Sequence, residues 1–257
     1  MKKTIQRVLA AVILFAMILS GGFSEVGKVH AEKQQGTTKR AIYVVFDNSG
    51  SMYGDGNKAW SQATYAMEVF AAMMNYESGD VMKVFPMHDI TTDGNTGSAT
   101  KSSMEIRGKD DIAQIHNMYT PKPGGTPYTQ VNNAAGELTK LLNAGSVDEG
   151  WLVVLTDGDF DNDIPASGLK ADLEGKAAAN ENLYVQYLAI GTDVKNIPEG
   201  NADKGLYAQK AGNTSEVVNE LAEISNRIFK RNEYAGYSSE DSSLEFDIPL
   251  RKLIVFA

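Results

Sequence analysis

Cysteine is absent from all 257 residues. Its absence excludes disulfides, thiolate metal sites, a cysteine nucleophile and a lipid-modified cysteine anchor. Histidine is scarce: of three, only His88 and His116 lie beyond residue 31. Positive charge is in the minority, with 24 Lys and Arg against 33 Asp and Glu. Long apolar runs are missing as well. Val8–Leu19 has twelve residues, short of the roughly 20 that span a bilayer as a helix. No G-x-S-x-G elbow and no G-x-x-x-x-G-K-[ST] phosphate loop occurs. Gly54 and Gly56 lack the third glycine and the strand–helix setting of a dinucleotide fingerprint.

The first residues read as an address. Lys2, Lys3 and Arg7 precede the apolar run, and Val29-His30-Ala31 fits cleavage after Ala31. That is the pattern of a secretory signal peptide over 1–31, and it predicts a secreted or cell-surface protein. An uncleaved, membrane-retained signal is the alternative. The segment carries four of the 24 basic residues and one of the 33 acidic ones, so the mature chain has 20 against 32, a net charge of −12. That charge argues against nucleic acid, whose binding needs a positive footprint, and against a generic anionic lipid surface. Without disulfides the exported domain must rely on its core, and about 200 folded residues suffice for one.

Residues 32–40 form a polar leader. Ala41 to Asp47 (AIYVVFD) is a nearly continuous apolar run, rich in β-branched and aromatic residues, as in a strand buried on both faces of a parallel sheet. Tyr53 to Asn57 reads as a Gly-rich turn, and Lys58 to Tyr76 as a helix with Ala63, Met67, Phe70 and Met74 inward. Val81 to His88 is a second strand, weakened near its end by Pro86. Thr92 to Gly97 carries turn chemistry. Met104 to Arg107 predicts a short antiparallel edge strand, and Asp110 to Met118 a short helix. Further on, helices are expected at Tyr128–Leu142, Leu169–Ala179 and Thr214–Lys230. Strands are expected at Trp151–Thr156, Leu183–Ile190 and Leu206–Gln209. Alternating strands and helices predict a doubly wound α/β fold, Rossmann-like, with helices on both faces of a mostly parallel six-stranded sheet. Residues 231–257 read as a linker followed by the start of a further β-rich or membrane-proximal segment, as in a truncated chain. A simple C-terminal strand is the alternative.

Two carboxylates follow buried strands: Asp47 after AIYVVF and Asp157 after WLVVLT. In doubly wound sheets, ligands gather at the carboxyl ends of strands where strand order reverses. The first continues as Asp47-Asn48-Ser49-Gly50-Ser51. Alternate residues of a loop leaving a strand turn toward one point, and Gly50 eases the bend. Thr126, in Gly124-Gly125-Thr126-Pro127, can supply a third hydroxyl. Oxygen-only donors select hard cations such as Mg²⁺. Mostly neutral donors leave such an ion under-neutralised and open to a carboxylate from a partner. The alternative is that Ser49 and Ser51 merely cap a helix and Asp47 a turn.

Asp47, Ser49 and Ser51 after an apolar strand resemble the D-x-S-x-S metal-ion-dependent adhesion site of the von Willebrand factor A family. Thr126 matches that family's Thr, and Thr156-Asp157-Gly158 its Asp-Gly step after the fourth strand. D-x-S-x-S alone is a weak pattern; with G-G-T and L-T-D-G in the family's order it is specific. The resemblance covers residues 41–230. It implies a domain of those bounds, with Mg²⁺ or Mn²⁺ held by Asp47, Ser49, Ser51, Thr126 and Asp157. It also implies a protein partner presenting an Asp or Glu carboxylate. Some relatives shift the last helix on binding.

Other chemistries fit less well. A haloacid-dehalogenase-like phosphotransferase needs a second Asp where Ser49 stands, and Ser49 cannot act as a general acid at neutral pH. A Ser-His-Asp hydrolase would have to recruit His88 near the rim. Asp157 to Asp163 starts like a calcium loop, but Asn162 replaces the needed Gly and Gly168 the bidentate Glu. Asp159 or Asp161 could instead shape cation selectivity. No small-molecule substrate is expected, and membrane attachment would need an uncleaved signal or a downstream segment. The function expected is metal-dependent adhesion without catalysis. The alternatives are a surface scaffold with a structural metal and, third, a hydrolase using the same rim.

Overall fold

Strand β1 (Arg40–Phe46) is buried at every residue after Arg40, and β4 (Glu149–Thr156) is buried throughout. Strands without apolar–polar alternation need cover on both faces, which is the condition of central strands in a parallel sheet. These two are neighbours, paired in parallel from Arg40↔Glu149 to Phe46↔Leu155. On its other side β1 pairs in parallel with β2 (Val81–Pro86). β3 (Met104–Ile106) runs antiparallel to β2. Beyond β4 come β5 (Leu183–Ile190) and β6 (Leu206–Ala211), both parallel. The order is β3-β2-β1-β4-β5-β6, the doubly wound, mostly parallel sheet with one antiparallel edge strand that the sequence predicts.

The structure, a computed structural model, describes residues 38–88, 103–115, 125–158, 160, 166–191, 194 and 196–229. The expected signal peptide, most of the leader, the Thr92–Gly97 turn, His116 and the 231–257 segment lie outside the described residues. Thr37–Glu220 is one unit and holds the whole sheet; Leu221–Phe229 is the described part of a second. Among the described residues no helix is long and apolar enough to cross a membrane.

Helix α1 (Gly54–Met73) covers one face of the sheet. Its Ala63, Met67 and Phe70 are fully buried, and its Trp60 ring lies 5.4 Å from that of Phe46. The other face carries α3 (Thr129–Asn143) and α4 (Ala166–Ala177). There Val131, Leu138, Leu169 and Leu173 join Tyr43, Val45, Leu152 and Val154 in one apolar cluster. Each such side chain contributes about 1.5–3 kcal/mol of burial. A short helix α2 (Lys109–Ile112) follows β3. The last helix, α5, spans Thr214–Phe229, with Val217 buried in its first turns. Gly150, the second residue of β4, lies against α3: a Cβ there would meet Leu142 Cδ1 at 3.0 Å.

Element edges differ from expectation in instructive places. The Tyr53–Asn57 stretch is not a turn; the 3₁₀ turn Gly50–Tyr53 runs straight into α1 at Gly54. Two glycines cost a helix about 1 kcal/mol each, and here the Tyr53 ring against Trp60 at 5.2 Å anchors the first turns. Pro86 is tolerated because it ends β2 beyond the β3 pairing. The next donor, Met87 N–H, bonds Phe46 O at 2.9 Å. Leu138 lies fully buried under the sheet. Leu138→Ala should therefore lower unfolding free energy by about 2–5 kcal/mol in urea melts, and a loss below about 1 kcal/mol would contradict this packing.

Candidate metal centre

The chain leaves β1 to build β2 and β3 on one side, then returns to place β4 on the other. Strand order therefore reverses between β1 and β4, and a crevice opens at their carboxyl ends. Asp47 is the first residue past β1 and Asp157 the first past β4. The two loops that carry the D-x-S-x-S and T-D-G residues thus start side by side because the strands beneath them are paired.

Asp47 is held by its backbone and by both oxygens. Its N–H donates to Leu155 O at 2.8 Å, one step beyond the β1–β4 pairing. Its carboxylate is fully buried. Oδ1 accepts from Ser49 N–H at 2.8 Å, and Oδ2 accepts from the Thr156 hydroxyl at 2.8 Å. The Ser49 and Ser51 Oγ atoms are hydrogen-bonded at 2.9 Å. Ser49 precedes the 3₁₀ turn but makes no side-chain cap bond there. The helix-cap alternative therefore does not describe Ser49. Gly50 opens that turn in a conformation any residue can adopt. The glycine the geometry requires is Gly158, at φ 121°. That conformation turns its N–H back onto Thr156 Oγ1 at 3.1 Å.

Two contributors were not singled out from the sequence. Asn48, the first variable residue of the motif, accepts from His88 N–H at 2.7 Å and donates to His88 O at 3.4 Å. Its side chain continues the β1–β2 pairing where the backbone leaves it, and so fixes the loop from the other side. In the sequence Thr156 is no more than the residue before Asp157-Gly158; in the structure its hydroxyl bridges the two loops. A buried Asn after a strand and a Thr before an Asp-Gly step are the only sequence signals for these roles. Beneath the loop, Met52 is fully buried, and Tyr53, Trp60 and Phe46 form a ring cluster.

The remaining predicted residues share this edge. Ser51 is exposed, Asp157 half-buried and Thr126 buried. Thr126 lies just before α3, which runs back toward the start of β4; the amino end of α3 is therefore at the carboxyl edge of the sheet. Among the described residues no hydrogen bond joins Thr126 to Asp47, Ser49, Ser51 or Asp157. Of the acidic run after Gly158, Asp159 and residues 161–165 lie outside the described residues.

Burial is the largest influence on the Asp47 carboxyl. Together with the nearby Asp157 charge, it pushes the group up from 3.8 to about 6, against the lowering effect of the Ser49 and Thr156 hydrogen bonds. Each oxygen accepts one donor, which leaves lone pairs unused. A hard cation placed against Asp47 and Asp157 would offset both the burial and the mutual repulsion. The donor set, two carboxylates and hydroxyls with no sulfur or imidazole, fits Mg²⁺ or Mn²⁺. Among the described residues no group of three or more His, Cys, Asp or Glu gathers as a metal site of the carboxylate- or imidazole-rich kind.

No protein-family model matches the sequence, and no curated protein matches it. Solved structures do match. The pilus adhesin SpaC from Lactobacillus rhamnosus GG aligns with TM-score 0.50 at 18% identity, over 77% of this chain and 31% of that one. Proximal thread matrix protein 1 from the mussel byssus aligns with TM-score 0.47 at 13% identity, over 74% and 46%. Manganese-loaded Plasmodium vivax TRAP protein aligns with TM-score 0.43 at 16% identity, over 73% of each. The chain thus spans less than half the length of the first two. At these identities the likeness is one of fold. Among the described residues, the sheet order, the one antiparallel edge strand and helices on both faces match a von Willebrand factor A-like α/β fold.

The electrostatics give a test. Because the folded state holds the Asp47 proton more tightly than the unfolded chain, the associated stability is complete below about pH 3.8 and is lost as pH rises through about 6. In chelator, the unfolding free energy of wild type relative to Asp47→Asn should fall between about pH 4 and pH 7, by up to about 3 kcal/mol. A difference independent of pH would contradict the burial-driven shift.

Proposed function

We propose that this chain is an exported, adhesion-type binding domain whose rim recognises a protein partner's Asp or Glu carboxylate through a Mg²⁺ or Mn²⁺ ion. Asp47, Ser49, Ser51, Thr126 and Asp157 are the residues that would hold the ion. The observation that carries this reading is Asp47 itself: a fully buried carboxylate, paired only with neutral donors, beside two linked hydroxyls at the strand-order reversal. The bound ion supplies a local positive charge and an open coordination position for an anionic ligand. The full chain carries a net charge of −9, so an acidic partner has no general attraction to its surface. A point of positive potential at the rim would make the interaction selective for a carboxylate and dependent on the metal. A pilus adhesin shares the fold, which is compatible with binding rather than catalysis. The chemistry of the loop agrees, since the motif has no second Asp and Ser49 Oγ is engaged with Ser51. Export rests on the signal-like residues 1–31.

One feature favours a second reading. The Thr156–Asp47–Ser49 bonds already tie the β1 and β4 loops together, so a cation there would also stiffen the edge of a scaffold module. A Mn²⁺ titration separates the two. Trp60, in contact with Tyr53 of the metal loop, should report binding by its fluorescence, and Trp60→Phe should silence the signal. Wild type should bind one Mn²⁺ per chain, and Asp47→Ala should bind none while keeping its circular dichroism. Binding that survives in Asp47→Ala would end the metal assignment. Unfolding of Asp47→Ala would instead make the ion structural. For recognition, acetate and a short Asp-containing peptide should bind only with Mn²⁺ present. Equal binding in chelator would contradict the carboxylate role.

A further inference from the structure

Thr126 and Asp157 stand on separate loops, and among the described residues no hydrogen bond connects them. Each is followed by an aromatic residue: Tyr128 after Thr126-Pro127, and Phe160 after Asp157-Gly158-Asp159. The two rings meet edge to face, with centroids 4.9 Å apart and planes at 87°, the favoured aromatic geometry. Tyr128 is fixed. Its ring is buried, and its hydroxyl donates to Asp172 Oδ2 at 2.7 Å. Lys176 Nζ lies 2.8 Å from the same oxygen and 5.3 Å from the Tyr128 ring centroid. Phe160 also faces Tyr187 of β5, at 6.5 Å between centroids.

We infer that the Tyr128–Phe160 ring pair positions Thr126 and Asp157 relative to each other and thereby sets the rim's affinity for its cation. The inference rests on the metal reading above. The covalent links on both sides are short: one residue separates Thr126 from Tyr128, and two separate Asp157 from Phe160. Pro127 has a locked φ and limits the residue before it, so the placement of Tyr128 passes directly to Thr126. Gly158, beside Asp157, is held by its bond to Thr156 Oγ1, and Phe160 lies two residues further along the sequence. Loops without such a clasp must be ordered at the moment of binding, and that ordering weakens affinity. Phe160 is a positioning residue. It is half-buried and packs against the apolar cluster from its edge, so its loss leaves the sheet intact.

The test uses the full chain and two readouts. The first is Mn²⁺ affinity; the second is amide hydrogen exchange in chelator at Gly125–Tyr128 and Asp157–Phe160. Phe160→Ala should weaken Mn²⁺ binding about tenfold and speed exchange in both loops, including the one that carries Thr126. Phe160→Tyr keeps the ring and should stay near wild type in both. Leu183→Ala, at the far end of the same cluster on β5, should lower stability without changing either readout. Unchanged exchange at Gly125–Tyr128 in Phe160→Ala overturns the inference, as does an equal loss of Mn²⁺ affinity in Leu183→Ala. If wild type takes up no Mn²⁺, the metal reading fails; exchange alone then decides whether the clasp joins the loops.

Discussion

Asp47 is fixed at the end of β1 by its bond to Leu155 O and sealed from solvent, and a carboxylate so placed is costly to ionise unless charge or donors meet it. The surrounding structure supplies neutral donors only: Ser49 N–H on one oxygen and the Thr156 hydroxyl on the other. These lower the cost without removing it, and Asp157 adds to it. The consequence is an edge that is complete as a fold and incomplete as an electrostatic system. Under the proposed reading a divalent cation would complete it, and mostly neutral donors would leave that cation with charge to offer a partner.

The edge is assembled by the sheet rather than by the loops alone. Parallel pairing of β1 with β4 brings Asp47 and Thr156 together, and pairing of β1 with β2 brings Asn48 to His88. Each loop is then tied to a strand other than its own. From below, the rings of Phe46, Tyr53 and Trp60 support the D-x-S-x-S turn. From the opposite face, Tyr128 and Phe160 join the Thr126 and Asp157 loops. The two faces of the sheet, covered by different helices, thus each present one half of the proposed centre.

Much of this was legible in the sequence because burial on both faces leaves an unmistakable pattern. AIYVVF and WLVVLT have no polar alternation, and both proved central. Their carboxyl-terminal aspartates followed directly. The helical spacing of Ala63, Met67 and Phe70 marked α1 correctly, whereas its start at Gly54 did not show, because two glycines mask a helix that tertiary contacts hold. The roles of Asn48 and Thr156 were hidden for a different reason. Each acts on a residue about 40 or more positions away, and such partners appear only once strand order is known. Gly158, not Gly50, carries the special backbone angle, a distinction that spacing cannot make.

A divalent cation on the rim of Asp47, Ser49, Ser51, Thr126 and Asp157 is the core of the proposed function. Paramagnetic broadening of backbone amide resonances by substoichiometric Mn²⁺ tests it without knowledge of any partner. Broadening should centre on residues 47–51, 126 and 157 and be reversed by excess Mg²⁺. Broadening centred on the acidic residues at the opposite edge, Asp148, Glu149 and Glu181, or spread evenly over the acidic surface, would contradict it.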